Sequence, residues 1–288
     1  MILVEISGGL GNQMFQYACG KALALRNNDM LALDLSWYEV PGRRDFQLTH
    51  YNISHVKCDN AGLLSLKTAH RCRRWIESVF RKNRRIRENG FGYDGSVLSA
   101  KGNIYLQGYW QSEKYFLDCK EAIAKDFRLS EKLDRSNEEW ADKIKSSRNS
   151  VSIHIRRGDY LSQPENREIY AELSVAWYGN ALRIMEALLG EMNLFIFTND
   201  IPWVRANFLF DAPMLFVDAN DENNGYKDMY LMSLCNHHII ANSTFSWWSA
   251  WLNRNPDKIV ITPRKWFKKE DMNHDDLAPD DWIVLPSC

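Results

Sequence analysis

In the stretch SIHIRRGDYL, residues 152–161, two adjacent arginines, a histidine and an aspartate close an apolar run. The run Val151–Ser152–Ile153–His154–Ile155 alternates as a half-buried strand does, and Gly158 breaks it. The charged cluster therefore falls where a strand gives way to a loop, the edge at which open α/β sheets hold their ligands. Arginine presents a planar fork of donors that matches phosphate oxygens, which the point charge of lysine does not, so Arg156 and Arg157 suggest a phosphate-bearing ligand. The alternative is a solvated strand end in which Arg157 pairs internally with Asp159. Read as an adhesion tripeptide, Arg157–Gly158–Asp159 is a three-residue match, and nothing else in the chain looks extracellular.

Two more loops have the means to bind phosphate. Gly8–Gly9–Leu10–Gly11 lies between a strand and a helix, where glycines permit close backbone approach and the helix start offers unpaired N–H groups, with Asn12 and Gln13 at its mouth. It does not match the GxGxxG dinucleotide pattern. The segment ANSTFSWWSAW, residues 241–251, follows a strand and opens a helix with Ser243, Thr244, Phe245 and Ser246. Its hydroxyls either cap that helix or bind phosphate at the same end, and the two roles are compatible. A metal site is not expected. His237 and His238 are adjacent and point to opposite faces of a strand, while Asp221–Glu222 and Asp275–Asp276 sit in polar stretches that read as solvated surface.

The elements that must place these loops are clearest in the second half. Strand-like runs recur at Val151–Ile155, Leu194–Phe197, Met214–Val217, His238–Ala241 and Ile259–Ile261, with helical patterns at Tyr170–Leu189 and Lys227–Cys235. Such alternation implies a parallel sheet with helical crossovers, an α/β, Rossmann-like domain. The first half opens likewise, with strands at Ile2–Ile6 and Leu31–Leu35 around a helix at Gln13–Arg26, then a strand at Asn103–Gln107 and helices at Glu113–Phe127 and Glu131–Lys145. The polar hinge Ser146–Ser150 separates two expected domains, 1–148 and 149–288.

Composition excludes several classes. A net charge of −1 gives no global attraction to nucleic acid. The six cysteines include no CxxC pair, which suits a reducing cytoplasm and argues against a zinc or disulfide framework. The start lacks a basic n-region and has only a short apolar run, so neither a secretion signal nor a membrane anchor is expected. Residues 71–87, RCRRWIESVFRKNRRIR, carry eight basic side chains against one Glu, with Trp75, Val79, Phe80 and Ile86 near helical spacing. This reads as a solvated basic helix face or as a surface for an anionic membrane or acidic glycan.

GGLGNQMFQYACG at 8–20, HIRRGDY at 154–160, FIFTND at 195–200 and HHIIANSTFSWWSAWL at 237–252 together resemble the signature segments of bacterial α-1,2-fucosyltransferases, glycosyltransferase family 11. The resemblance implies a two-domain GT-B-like fold whose C-terminal domain binds GDP-β-L-fucose, with the N-terminal domain on the acceptor side. It implies inversion at the fucose anomeric carbon without a metal, and a galactose-containing acceptor, free or lipid-linked, in a surface polysaccharide or oligosaccharide. Arg156 takes the position that binds the donor β-phosphate; Arg157 either assists it or pairs with Asp159. Gly9, Gly11, Asn12 and Gln13 on one side, and the 243–246 segment on the other, face the sugar or phosphates. His154 contacts the nucleotide or shapes the loop. Asp200 resembles the acid that pairs with the guanine edge, its alternative being a helix N-cap before Ile201–Pro202, and Asp218 is a second candidate for base or ribose. Asp159, then Glu165, are the candidate general bases. Two other readings stand beside this one: a transferase using another nucleotide sugar, and a non-catalytic nucleotide- or glycan-binding protein.

Overall fold

Each half of the chain builds its own parallel sheet in the computed structural model, which describes residues 1–53, 84–157, 168–268 and 275–287. The first unit orders its strands β2-β1-β4-β3, where β1 is Ile2–Glu5, β2 Leu31–Asp34, β3 Arg84–Arg87 and β4 Ile104–Gln107. Gly8, at φ +75°, turns the chain out of β1 in the left-handed region that disfavours a side chain. Helix α1 (Leu10–Asn27) then packs back so closely that a Cβ on Gly20 would lie 2.2 Å from the Val4 side chain. The helix stops at Asn28, whose left-handed backbone (φ 47°) sends its N–H to the carbonyls of Ala24 and Leu25.

Two expectations for this unit need correction. Residues 113–127 are not one helix: short 3₁₀ turns at Glu113–Tyr115 and Leu117–Cys119 precede helix α2 (Lys120–Asp126). Ser112 starts the first turn by accepting the Lys114 N–H, and Phe116 then leaves helical backbone at φ −138°, ψ 13°. Residues 84–87, expected as the end of a basic helix, are a strand paired with β4 from Arg84↔Ile104 to Arg87↔Gln107. Ladder pairing outweighs the local charge pattern there; 71–83 lie outside the described residues.

The second unit has six parallel strands in the order β10-β9-β8-β5-β6-β7. They are β5 (Ser150–Ile155), β6 (Asn193–Thr198), β7 (Met214–Phe216), β8 (His237–Ile239), β9 (Val260–Pro263) and β10 (Ile283–Leu285). Five helices accompany them among the described residues: α3 (Arg135–Ser146), α4 (Val175–Leu189), α5 (Ile201–Asn207), α6 (Gly225–Leu234) and α7 (Thr244–Leu252). Helix α4 starts five residues later than the Tyr170 expected, because Ser174 caps it by accepting the Trp177 N–H while Tyr170 bridges to Phe267. One apolar cluster joins α4 to Val151, Ile153, Leu194 and Ile196; a second joins α3 and α6 to Phe195, Phe197 and Val217. The chain divides at Glu131/Lys132, ahead of α3 instead of behind it, and 275–277 return to the first unit. Helix α3 follows the second unit because Ala141 and Ile144 bury against the α6 side of its sheet.

Strand β5 is also more buried than its alternation suggests, being enclosed on both faces except at His154. Its polar positions find partners across the ladder. Ser152 Oγ lies 2.8 Å from Nδ1 of the fully buried His238, whose Nε2 faces the Asn253 amide at 2.6 Å. The Asn253 oxygen accepts the Asn255 N–H, so its NH₂ points at His238 and Nε2 must be the unprotonated, accepting nitrogen. Burial, with Lys258 nearby, holds the His238 pKa well below the ordinary imidazole value. A depressed imidazole stabilises the fold above about pH 6.5, and that contribution declines as pH falls below it, at up to about 1.4 kcal/mol per pH unit. His238→Gln is therefore expected to be less stable at pH 7.5 yet to lose less between pH 6.5 and 5 in urea titrations; parallel curves for the two proteins would refute the assignment.

Candidate functional site

The loops that leave the C-terminal edge of the second sheet bring together the end of β5 and the start of α7. Arg156 Nη1 donates to Ser243 Oγ at 2.8 Å, and the same oxygen accepts the Phe245 N–H at 3.3 Å as the N-cap of α7. A guanidinium is thus fastened at the positive end of a helix, where two like-signed fields converge. Both fields favour a nearby anion. Thr244 and Phe245 are half-buried beside it, with the Phe245 ring 5.5 Å from that of His154. Ser246 is different. It is fully buried and donates back to the carbonyls of Ala241 and Ser243, so it shapes the turn instead of meeting a ligand. The buried Asn242 amide donates to Ala171 and Trp266 carbonyls, fixing the turn from below.

Arg157 reaches toward the end of β6 and the start of α5. Its backbone N–H donates to Asn199 Oδ1, and its guanidinium carbon lies 3.3 Å from the centroid of the Trp203 ring. Two carboxylates flank it at longer range, Glu172 at 3.5 Å and Asp200 at 3.8 Å. Asp200 caps α5, accepting the Trp203 N–H at 3.2 Å, so the helix-cap alternative holds for one of its oxygens. Asp218 stands exposed beyond β7. Asp159 and Glu165 lie outside the described residues. Arg156, Arg157, Trp203, Glu172, Tyr170 and Lys268 share the wall of one small cavity.

In the first unit the glycine loop is built as expected at its ends and differently at its centre. Gly9 is the extended N-cap of α1 and Gly11 lies in the helix's first turn. Asn12 is half-buried and accepts from the Gln111 amide at 3.0 Å. Gln13, expected to face a ligand, is wholly buried: its amide donates to the Gly8 and Asp45 carbonyls and accepts the Gln47 N–H. It pins the 45–47 segment to the glycine turn, a task for which an amide, with donors and an acceptor on one group, is suited.

Sequence reasoning missed Trp203, Glu172, Tyr170 and Lys268, although a tryptophan three residues after a capping Asp was a usable sign for the first. It also missed Asp228 on α6. That carboxyl is hydrogen-bonded by the Asn220 amide at 2.7 Å, and burial pushes its pKa up to about 7. Asp221 and Asp276, expected as solvated surface, have local tasks: Asp221 caps a 3₁₀ turn and Asp276 pairs with Lys114. Among the described residues no group of three or more His, Cys, Asp or Glu side chains is gathered as a metal site.

A family model described as glycosyl transferase family 11 matches residues 1–286. An α-1,2-colitosyltransferase of Escherichia coli is 35% identical over 297 residues, covering 99% of each chain. The O-antigen biosynthesis glycosyltransferase WbnK of Escherichia coli is 34% identical over 301 residues, covering 97% of this chain and 99% of that protein. Among solved structures, the fucosyltransferase NodZ from Bradyrhizobium superposes with a TM-score of 0.51 at 15% identity, over 86% of this chain and 91% of that one. That likeness is one of fold: parallel α/β units of the GT-B type, as the four linked segments implied.

Proposed function

Because the chain belongs to glycosyltransferase family 11, we propose that it moves L-fucose from GDP-β-L-fucose to O2 of a β-galactoside, forming an α-1,2 linkage in a surface polysaccharide or oligosaccharide. The observation that carries this reading is Arg156 fastened to the N-cap serine of α7, which sets a guanidinium at the positive end of a helix. When the bond from the anomeric carbon to the phosphate breaks, charge grows on the departing GDP. A guanidinium and helix N–H groups fixed there stabilise the transition state more than the ground state. A single displacement from the opposite face inverts the anomeric centre and needs no covalent intermediate. Asp159 is the proposed acceptor of the galactose hydroxyl proton, with Glu165 the second candidate; such help is worth roughly 10²–10⁴-fold. Asp200 and Asp218 are the proposed contacts for base and ribose, and Gly9, Gly11 and Asn12 are proposed as donor-binding residues.

A second reading is favoured by one comparison, since a relative named for colitosyl transfer is 35% identical across the whole chain. Colitose is fucose without its 3-hydroxyl, so the two donors share the nucleotide and differ at one sugar position. Incubation with GDP-fucose and with GDP-colitose, each against a panel of free and lipid-linked β-galactosides with linkage read by NMR, separates the readings. Product at O2 of galactose is expected, and linkage to any other position would overturn the proposal. Release of no GDP from either donor would leave a binding protein.

The proposed reaction is metal-independent and sits at the cytoplasmic face of the membrane where a lipid-linked acceptor is presented. Among the described residues no helix is long and apolar enough to cross a membrane. Arginine and helix N-termini take the part that Mg²⁺ plays in other transferases. EDTA is expected to leave the initial rate nearly unchanged; a hundredfold loss restored by Mg²⁺ or Mn²⁺ would count against it.

A further inference from the structure

The Arg157 guanidinium carbon stacks 3.3 Å from the centroid of the Trp203 ring. Its carboxylate neighbours are set at 3.5 and 3.8 Å, outside the 2.7–2.9 Å of a charge-assisted fork. Glu172 is largely exposed, and one oxygen of Asp200 is engaged by the first turn of α5. Nε of Arg157 is shielded from solvent yet has no hydrogen-bond partner among the described residues. An arginine whose purpose was an internal ion pair would close on one of these carboxylates. Held by a ring face, it has its plane fixed while its N–H donors stay uncommitted.

The ring itself is anchored. Trp203 packs edge-on against Phe208 at 5.7 Å, and Phe208 is fully buried against Tyr178, whose hydroxyl donates to the carbonyl of His154. A continuous set of packed groups therefore runs from the core to the guanidinium and back to the strand that carries it. From this we infer that Trp203 is a positioning residue, holding Arg157 as a second donor fork for the diphosphate of the nucleotide donor beside Arg156. The inference deepens the proposed function and rests on it for the identity of the nucleotide, while the diphosphate contact is testable alone.

The test measures binding of GDP, UDP and inorganic pyrophosphate by calorimetry, with unliganded melting curves and steady-state rates, for wild type, Trp203→Leu, Trp203→Phe, Arg157→Ala and the Leu/Ala double variant. Trp203→Leu is expected to weaken GDP and pyrophosphate alike on the order of tenfold, as loss of a partly desolvated cation–π contact implies. Trp203→Phe, which keeps a ring face, is expected to recover most of that binding, and the double variant to be no weaker than Arg157→Ala alone. Trp203→Leu that binds pyrophosphate like the wild type, or whose effect adds in full to that of Arg157→Ala, overturns the inference. So does a loss that follows only from unfolding, seen as a collapsed melting curve with normal affinity in the folded fraction. Wild type that binds pyrophosphate through Trp203 but shows no preference for GDP and transfers no deoxyhexose removes the functional reading and keeps this one. GDP-dependent transfer undiminished by Trp203→Leu does the reverse.

Discussion

Arg156→Lys is expected to lower turnover by on the order of 10²–10³-fold, roughly 3–4 kcal/mol of transition-state stabilisation. Lysine keeps the charge and loses the fork. In the native protein Nη1 of that fork holds Ser243 Oγ at 2.8 Å, and an ammonium on a flexible stem cannot keep that contact and still present aligned donors to a phosphate. Arg157→Lys should be milder, near tenfold, because the helper's plane is set by Trp203 and its contact with phosphate is the second of two. Both arginines are only half-buried at the mouth of a loop, so unliganded melting temperatures should move by a few degrees at most. The upward shift that GDP gives the wild type should shrink in Arg156→Lys by linkage between binding and folding. Retention of most of the wild-type rate, or loss of activity only through unfolding, would make the arginine structural.

Trp247→Ala is expected to have the largest effect on stability. Trp247 is fully buried on α7, with ring centroids of Trp248, Trp251 and Trp282 at 5.0, 6.2 and 5.5 Å. Truncating a packed indole removes its transfer free energy and leaves a cavity that three neighbouring tryptophans are too rigid to fill, at a cost of about 3–5 kcal/mol. Urea titration reads this directly. Because α7 carries Ser243 at its start, GDP affinity should fall as well in whatever fraction stays folded. Leu209→Ala is the matched control: Leu209 is 84% exposed and the substitution should change stability by no more than about 0.5 kcal/mol. A Trp247→Ala cost no greater than that of the control would show that the indole cluster does not hold the helix.

Much of this was legible in the sequence because the signals are local. Alternation of apolar runs with helical patterns declared parallel α/β architecture, since a strand and its crossover helix are each specified over a few residues. The candidate phosphate loops were legible for the same reason: glycine between strand and helix, adjacent arginines at a strand end, and hydroxyls at a helix start each have a meaning that needs no distant partner. What the sequence could not say is which of these polar groups have their hydrogen bonds satisfied internally. Gln13 carries the same chemistry as Asn12, yet packing buries the first wholly and the second only by half; Ser243 and Ser246 are both buried, one holding Arg156 and the other bonding back to its own turn. The alternation in Val151–Ile155 looked half-exposed because Ser152 gives no sign that His238 will meet it across the ladder. Residues 84–87 departed from helix because pairing with β4 outweighed local preference, and the helix expected over 113–127 is interrupted at Phe116, whose backbone is not helical. The sequence by itself determined the two parallel sheets and the arginines at a ligand edge. Tertiary structure alone decided that one arginine is tied to a helix start and the other to an indole, because those partners lie 87 and 46 residues further along the chain and meet only when the sheet has formed.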